Sequence, residues 1–354
     1  MDACFASPEP QICRNLSAAS RGSGPRIVRA SGGLDPVLDF ARSSADGLAS
    51  APRRLESRFL YDSAGSALFE QITKQPEYYL TRTENSILAA NAADIRKITG
   101  PANILELGSG SSTKTYQLLR AWLDRAKSVC YFPVDVSLSA LVGACSNIRA
   151  RHPAVRVIAL NCHYREAFPV MAQLSPSLVT FFGSSIGNFT KQEMTSFTTS
   201  LAASMRPGDY FLLGVDLVKR RSLMEAAYND QAGVTAQFTR NVFARMNREL
   251  GCCIDLDAIE HSAQYQPEKE QIEINARFLR PQSFLLDPPK KLINIAQGEA
   301  VQIEICRKFR LQQVIPELER CGFGTERVYS DERRWFALLL LRRLPFYSSR
   351  ENGR

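Results

Sequence analysis

Between residues 103 and 216, short apolar runs alternate with stretches of helical period. "NILEL", "VCYFPVDVS", "VRVIALNC", "SLVTFFGSSIGNFT" and "YFLLGVDLV" read as five strands that end in small or acidic residues. "TYQLLRAWL", "LSALVGACSNIRARH" and "KQEMTSFTTSLAASM" read as helices between them. Strands that alternate with helices predict an α/β fold, a parallel sheet with helices on both faces. Ligands of such sheets bind beyond the carboxyl ends of the strands. Those ends are Gly108, Asp135, Cys162 to Tyr164, Gly183 to Asn188, and Val215 to Asp216.

The first of these ends narrows the ligand. After Leu107 the chain breaks into "GSGSSTKT". A dinucleotide turn needs a third small residue for close helix packing, and Thr113 stands there. A triphosphate loop needs Lys and Ser or Thr directly after its last glycine, whereas Lys114 and Thr115 come too late after Gly110. A shorter glycine turn followed by an acid-ended strand suits S-adenosylmethionine (SAM). Gly108 and Gly110 let the backbone approach the cofactor's amino-acid part. Asp135 can accept hydrogen bonds from two ribose hydroxyls through one carboxylate.

A chain of 354 residues, 45% of them hydrophobic, suggests about two domains. Residues 1–33 are rich in Ser, Ala, Gly and Arg without an apolar stretch, and read as a disordered tail. "LDPVLDFARSSADGLAS" reads as a helix, and residues 58–100 as helical in two pieces broken at Pro76. Residues 216–305 interrupt the alternation. A helical stretch there precedes segments such as "QIEINARFL" and "AVQIEICRKF", which predict antiparallel strands. "LQQVIPELERCG" returns to helix, and two last strands finish the first sheet. The expected division is a SAM-binding domain of 88–215 plus 306–344 and a substrate-recognition domain of 34–87 plus 216–305.

The net charge of +8 comes from scattered basic residues, with no basic block interleaved with aromatics, so nucleic acid is not expected as a partner. Nine cysteines without a CxxC pair suggest reduced thiols in a cytoplasmic protein. The three histidines lie far apart, and no metal site is expected. The longest apolar run, Trp335 to Leu341, is too short to span a bilayer. A monomer that acts on a small molecule is the expectation.

Several long motifs carry a resemblance. "RFLYDSAGSALFEQITKQPEYYLTRTE", "ILELGSGSSTKT", "PVDVS", "FFGSSIGN", "LLGVDLVK", "AYNDQAGVTAQFTRNVFARMNREL" and "EICRKF" resemble the histidine-specific Nα-methyltransferases of ergothioneine biosynthesis. The resemblance runs from about residue 36 to 343. It implies a Rossmann-like class I methyltransferase sheet with an inserted α+β substrate domain. It also implies SAM-dependent methylation of the α-amino group of L-histidine to the betaine hercynine. For the cofactor it implies Gly108, Lys114, Asp135 and, at the adenine, His163 and Tyr164, where the family usually carries an Asp-Phe pair. For the substrate it implies Asn188 and Tyr228 at the carboxylate, and Tyr78 with Phe69 and Gly183 near the amine. Tyr61 is implied as a further pocket tyrosine, and Glu304 with Cys306 at the ring. Tyr78 and Asn188 are the expected catalytic pair, with Tyr78 or a water beside it taking the ammonium's proton.

Cys306 stands where the family has serine, and a thiol is the weaker donor. An indole N–H needs one acceptor only, so Glu304, Cys306 and a nearby Ile274 leave tryptophan or another aromatic amino acid open as substrate. A nicotinamide dehydrogenase is disfavoured by Thr113. A non-catalytic SAM-binding protein is the alternative of another class.

Overall fold

The computed structural model describes residues 11–19, 26–29 and 35–345. Its strands are β1 (Arg26–Arg29), β2 (Asn103–Leu107), β3 (Val129–Asp135), β4 (Val155–Asn161), β5 (Ser177–Phe181), β6 (Tyr210–Asp216), β7 (Ile259–Gln266), β8 (Gln271–Phe278), β9 (Gln282–Leu286), β10 (Lys291–Ile295), β11 (Ala300–Arg307), β12 (Phe323–Ser330) and β13 (Phe336–Arg343). Eight of them form one sheet in the order β1-β4-β3-β2-β5-β6-β13-β12. β1 to β6 run parallel where they pair, and β13 is antiparallel to both β6 and β12. This is the α/β sheet that the alternation predicted, with the Rossmann-like arrangement that the resemblance implied.

Side chains of these strands alternate between two cores, as a period of two requires. Ile104, Tyr131, Leu178, Leu212 and Leu338 face one side, with the helices Tyr79–Thr99, Tyr116–Leu123 and Leu138–Arg151. Leu105, Phe132, Val179, Leu213 and Leu339 face the other, with the helices Tyr164–Met171, Lys191–Ser204 and Leu311–Arg320. Strands covered on both sides read as unbroken apolar runs, which is why the sheet was legible in the sequence.

The strand order reverses between β2 and its neighbours β3 and β5. In register, Leu107 faces Val134 and Phe181, so all three strands end at one level. Such a reversal opens a crevice at the carboxyl ends.

The insert builds a three-stranded antiparallel sheet, β11-β8-β7, with β7 and β8 against the helix Val234–Leu250, and a hairpin of β9 and β10, with β10 against the helix Pro36–Ala49. It has no core of its own. Phe243, Ile272 and Phe278 belong to the same buried cluster as Leu88, Leu118 and Tyr131 of the main sheet's side.

One expectation changes. Within the segment expected to be a disordered tail, Gln11–Ala19 is a helix and β1 pairs with the sheet's edge strand β4. Burial of Ile12, Leu16 and Val28 against Ile158 and Phe168 supplies the reason. The remainder of residues 1–33 lies outside the described residues. Two of the expected divisions also fall inside regular elements. The division at 87/88 cuts the continuous helix Tyr79–Thr99, and the one at 305/306 cuts β11. The breaks in regular structure fall after Ile72 and after Arg307.

Candidate active site

The turn after β2 is pinned to β3. Gly108 and Ser109 donate their N–H groups to the Val134 carbonyl, at 2.8 and 3.1 Å. Gly108 has φ +67°, and a Cβ there would stand 3.0 Å from the Tyr164 hydroxyl. Both the conformation and the space exclude a larger residue. Gly110 and Ser137 each donate an N–H to one oxygen of Asp135, both at 2.8 Å. Each oxygen keeps a further lone pair. Burial pushes the Asp135 carboxyl up, against the pull of those backbone donors.

His163 and Tyr164 follow β4, with ring centroids 5.2 Å apart. Burial first, and then Arg58, push the His163 imidazole down, so it is a neutral ring. Tyr164 sets its edge against Phe181 at 5.2 Å. A glycine turn without side chains, a buried acceptor at the next strand end and an aromatic ring beyond it fit a nucleoside cofactor.

Lys114 Nζ lies 2.5 Å from a carboxylate oxygen of Glu84, which is wholly buried. The Gly183 N–H donates to both Glu84 oxygens at 2.9 Å. Glu84 therefore ties the turn after β2 to the turn after β5, and sequence reasoning missed it. A glutamate inside a helix ordinarily reads as a solvent-facing residue, so no signal marked it. Glu106 was missed as well, although an acid inside "ILEL" is itself a signal. It accepts from Thr115 Oγ1 at 2.5 Å and from Tyr131, and burial pushes it up to about 7.

At the other end, aromatic rings form one wall. Tyr61 meets Phe69 at 5.5 Å and Phe238 at 5.4 Å, Phe69 meets Tyr78 at 6.3 Å, and Tyr78 meets Tyr228 at 6.1 Å. Most of these contacts are edge-to-face, the favoured arrangement. Phe238, from the helix Val234–Leu250, is a further member that the sequence did not single out.

Opposite the wall, Asn188 Nδ2 donates to Glu304 Oε1 at 2.7 Å, and the Cys306 thiol reaches Asn188 Oδ1 at 3.8 Å. Gly187 makes this possible, because a Cβ there would stand 2.8 Å from the Arg307 carbonyl of β11. A register shift between Gln302 and Glu304 lies beside the site, and Ile274 faces Glu304 across β8. Bulges of this kind re-aim side chains. Burial pushes Glu304 up to about 7, against Lys308 and the Asn188 amide.

A cavity of about 1220 Å³ joins the two ends and is lined by every site residue that the sequence suggested, from Gly108 and Asp135 to Glu304 and Cys306. It exceeds the roughly 300–1,000 Å³ of a typical single-ligand pocket and has room for two ligands. One expected role does not fit. Burial, and the acids Cys306 and Glu304 nearby, push the Tyr78 phenol well up. It stays a neutral hydroxyl and is a poor acceptor of the ammonium's proton. Among the described residues, no three His, Cys, Asp or Glu side chains gather as a metal site, and no helix is long and apolar enough to cross a membrane.

Substituting Asn188 with alanine should weaken amino-acid binding about tenfold or more while SAM affinity stays within a factor of two, because one hydrogen-bond donor is lost and a Glu304 oxygen is left unpaired. Parallel titrations of cofactor and amino acid check this. Equal losses in both would remove Asn188 from the amino-acid end.

The family model of histidine-specific, SAM-dependent methyltransferases matches residues 40–343. The histidine N-alpha-methyltransferase of Mycolicibacterium smegmatis is 39% identical over 294 residues, covering 83% of this chain and 92% of that protein. Its namesake in Mycobacterium tuberculosis is 38% identical over 303 residues, covering 86% and 94%. Ergothioneine biosynthesis protein 1 of Neurospora crassa is 32% identical over 210 residues, covering 56% of this chain and 23% of that protein. With a strand-end glycine turn and the match running through both sheet and insert, the chain belongs to the histidine-specific, SAM-dependent methyltransferase family.

Proposed function

We infer that the protein methylates the α-amino nitrogen of L-histidine with SAM, through to the trimethylated betaine hercynine, a step of ergothioneine biosynthesis. The observation that carries this reading is the single cavity joining the Gly108–Asp135 cradle to a pocket that pairs Glu304 with an aromatic wall.

When bound, SAM supplies a methyl group on a sulfonium, open to displacement by an amine lone pair. Asp135 would hold the ribose hydroxyls, Gly108 and Lys114 the amino-acid part, and Tyr164 the adenine face. His163, as a neutral ring, has one acceptor nitrogen for the adenine amino group. Asn188 spends one amide N–H on Glu304 and has a second for the substrate carboxylate, to which Tyr228 also donates. Glu304 accepts the imidazole N–H. Tyr61, Phe69 and Tyr78 present ring faces to an amine that gains permanent positive charge as methyls accumulate. The Tyr78 hydroxyl orients the amine as a hydrogen-bond acceptor, and the ammonium's proton leaves to water. A neighbouring positive charge eases that loss. Gly183, free of a side chain, leaves room beside the amine. Holding both reactants in line contributes on the order of 7–11 kcal/mol to the rate.

Mass spectrometry of a mixture of all the protein amino acids with SAM tests the reading. Histidine should appear with one, two and three added methyls. An unmodified histidine beside a methylated competitor would overturn it. A second reading, the same chemistry on tryptophan or another aromatic amino acid, is favoured by the weak donor Cys306 and by Ile274 across from Glu304. It predicts that this competitor carries the methyls.

A further inference from the structure

Behind the aromatic wall lies a buried charge cluster that the mechanism above does not use. Asp216, at the end of β6, is fully buried and accepts from Tyr79 Oη at 2.8 Å, from Lys219 Nζ at 2.5 Å and from Lys308 Nζ at 2.8 Å. The side chains of Lys219 and Lys308 are 6% and 1% exposed. Burial pushes the Asp216 carboxyl up and the two lysines outweigh it, so it is ionised. One carboxylate beside two ammonium groups leaves a surplus of positive charge away from water, which is costly unless it serves another partner.

That partner is Tyr228. Lys308 Nζ donates to Tyr228 Oη at 2.7 Å and lies 4.6 Å from the ring centroid. A lysine ammonium has donors only. The phenol must accept from it, so its own hydrogen points away, towards the cavity that Tyr228 lines. On the facing side of the cavity the Cys306 thiol donates to Asn188 Oδ1, and the Asn188 amide donates to Glu304. An ammonium that donates to the phenol oxygen polarises the Tyr228 O–H. Lys308 shares the neutralising of Asp216 with Lys219, and Tyr79 adds a neutral hydrogen bond, so the second contact of Lys308, to Tyr228, is the one that faces the cavity.

We propose that Lys308 is a positioning residue for the substrate's carboxylate. Acting through Tyr228, it presents a polarised O–H and surplus positive charge to the α-carboxylate. The site thereby selects amino acids over the amines left when their carboxylate is removed. Lys308 sits there because β11 leads straight back to the main sheet, where Phe309 donates its N–H to the Asp216 carbonyl at 2.8 Å. The proposal rests on the functional reading above, in which histidine is the substrate.

The test is calorimetric titration of histidine, and of its decarboxylated counterpart histamine, into protein saturated with S-adenosylhomocysteine. It is run on the unaltered protein, Lys308→Met, Lys308→Gln, Tyr228→Phe and the Lys308→Met/Tyr228→Phe double variant. Lys308→Gln keeps a donor for Asp216 and Tyr228 without the charge, and covers the case in which methionine prevents folding. Histidine affinity should fall about tenfold in Lys308→Met and in Tyr228→Phe, as for one hydrogen bond to a charged group, and by less in Lys308→Gln. The double variant should lose no more than the weaker single one, since both act through one contact. Histamine affinity should change less than twofold throughout. Equal losses for histidine and histamine, additive losses in the double variant, or no loss in either lysine variant would overturn the proposal alone. Absence of histidine binding by the unaltered protein would overturn the functional reading and this proposal with it.

Discussion

Replacing Glu304 with glutamine should make the ligand-free protein more stable at pH 8 and weaken its hold on histidine. The carboxyl is enclosed between β8 and the Asn188 turn, and burial raises it from an ordinary 4.5 to about 7. The folded state therefore binds this proton more tightly than the unfolded chain. Between the two values unfolding releases the proton, so stability falls as pH rises from about 4.5 to 7, and the whole loss is present above that window. Glutamine abolishes a loss on the order of 3 kcal/mol at pH 8, and its amide oxygen still accepts from Asn188. Thermal melts should show the variant above the unaltered protein at pH 8 and level with it near pH 4. Histidine affinity should fall ten- to a hundredfold at pH 8, because a charged acceptor for the ring N–H becomes a neutral one. Coincident melts at pH 8 would deny the buried charge. Unchanged histidine affinity would deny the contact.

Substituting Asp135 with alanine should cost more than a hundredfold in SAM affinity. Hydrogen bonds to a charged group contribute about 1.5–3 kcal/mol each, and this carboxylate has lone pairs for two ribose hydroxyls. The loss is compounded in the turn itself, since Gly110 and Ser137 N–H groups both lose their acceptor. Asp135→Asn keeps one acceptor oxygen and should fall between the two. Titration with S-adenosylhomocysteine measures all three proteins. An alanine variant that binds within threefold of the unaltered protein would place the ribose elsewhere.

Much of the fold and site is legible in the order of residues alone. The strands of the main sheet announce themselves because burial on both faces forces unbroken apolar runs such as "FALLLL". Their small or acidic ends mark the ligand side, because only there does the backbone come free of packing. Gly108, Asp135 and the "FFGSSIGN" turn all carry that signature, and the motif resemblance extends it to Tyr61, Phe69, Tyr228 and Glu304.

Other properties arise only when distant segments meet. Asp216 reads only as a strand end, and Lys219, Lys308 and the helical Glu84 carry no mark in the sequence; what they do depends on an enclosure made by segments far apart in the chain. The same enclosure decides protonation, lifting Glu304 to about 7 and keeping the Tyr78 phenol neutral. Pattern and spacing are local and survive in a list of letters. Desolvation and charge pairing are sums over every neighbour in space, and those neighbours are assembled by folding.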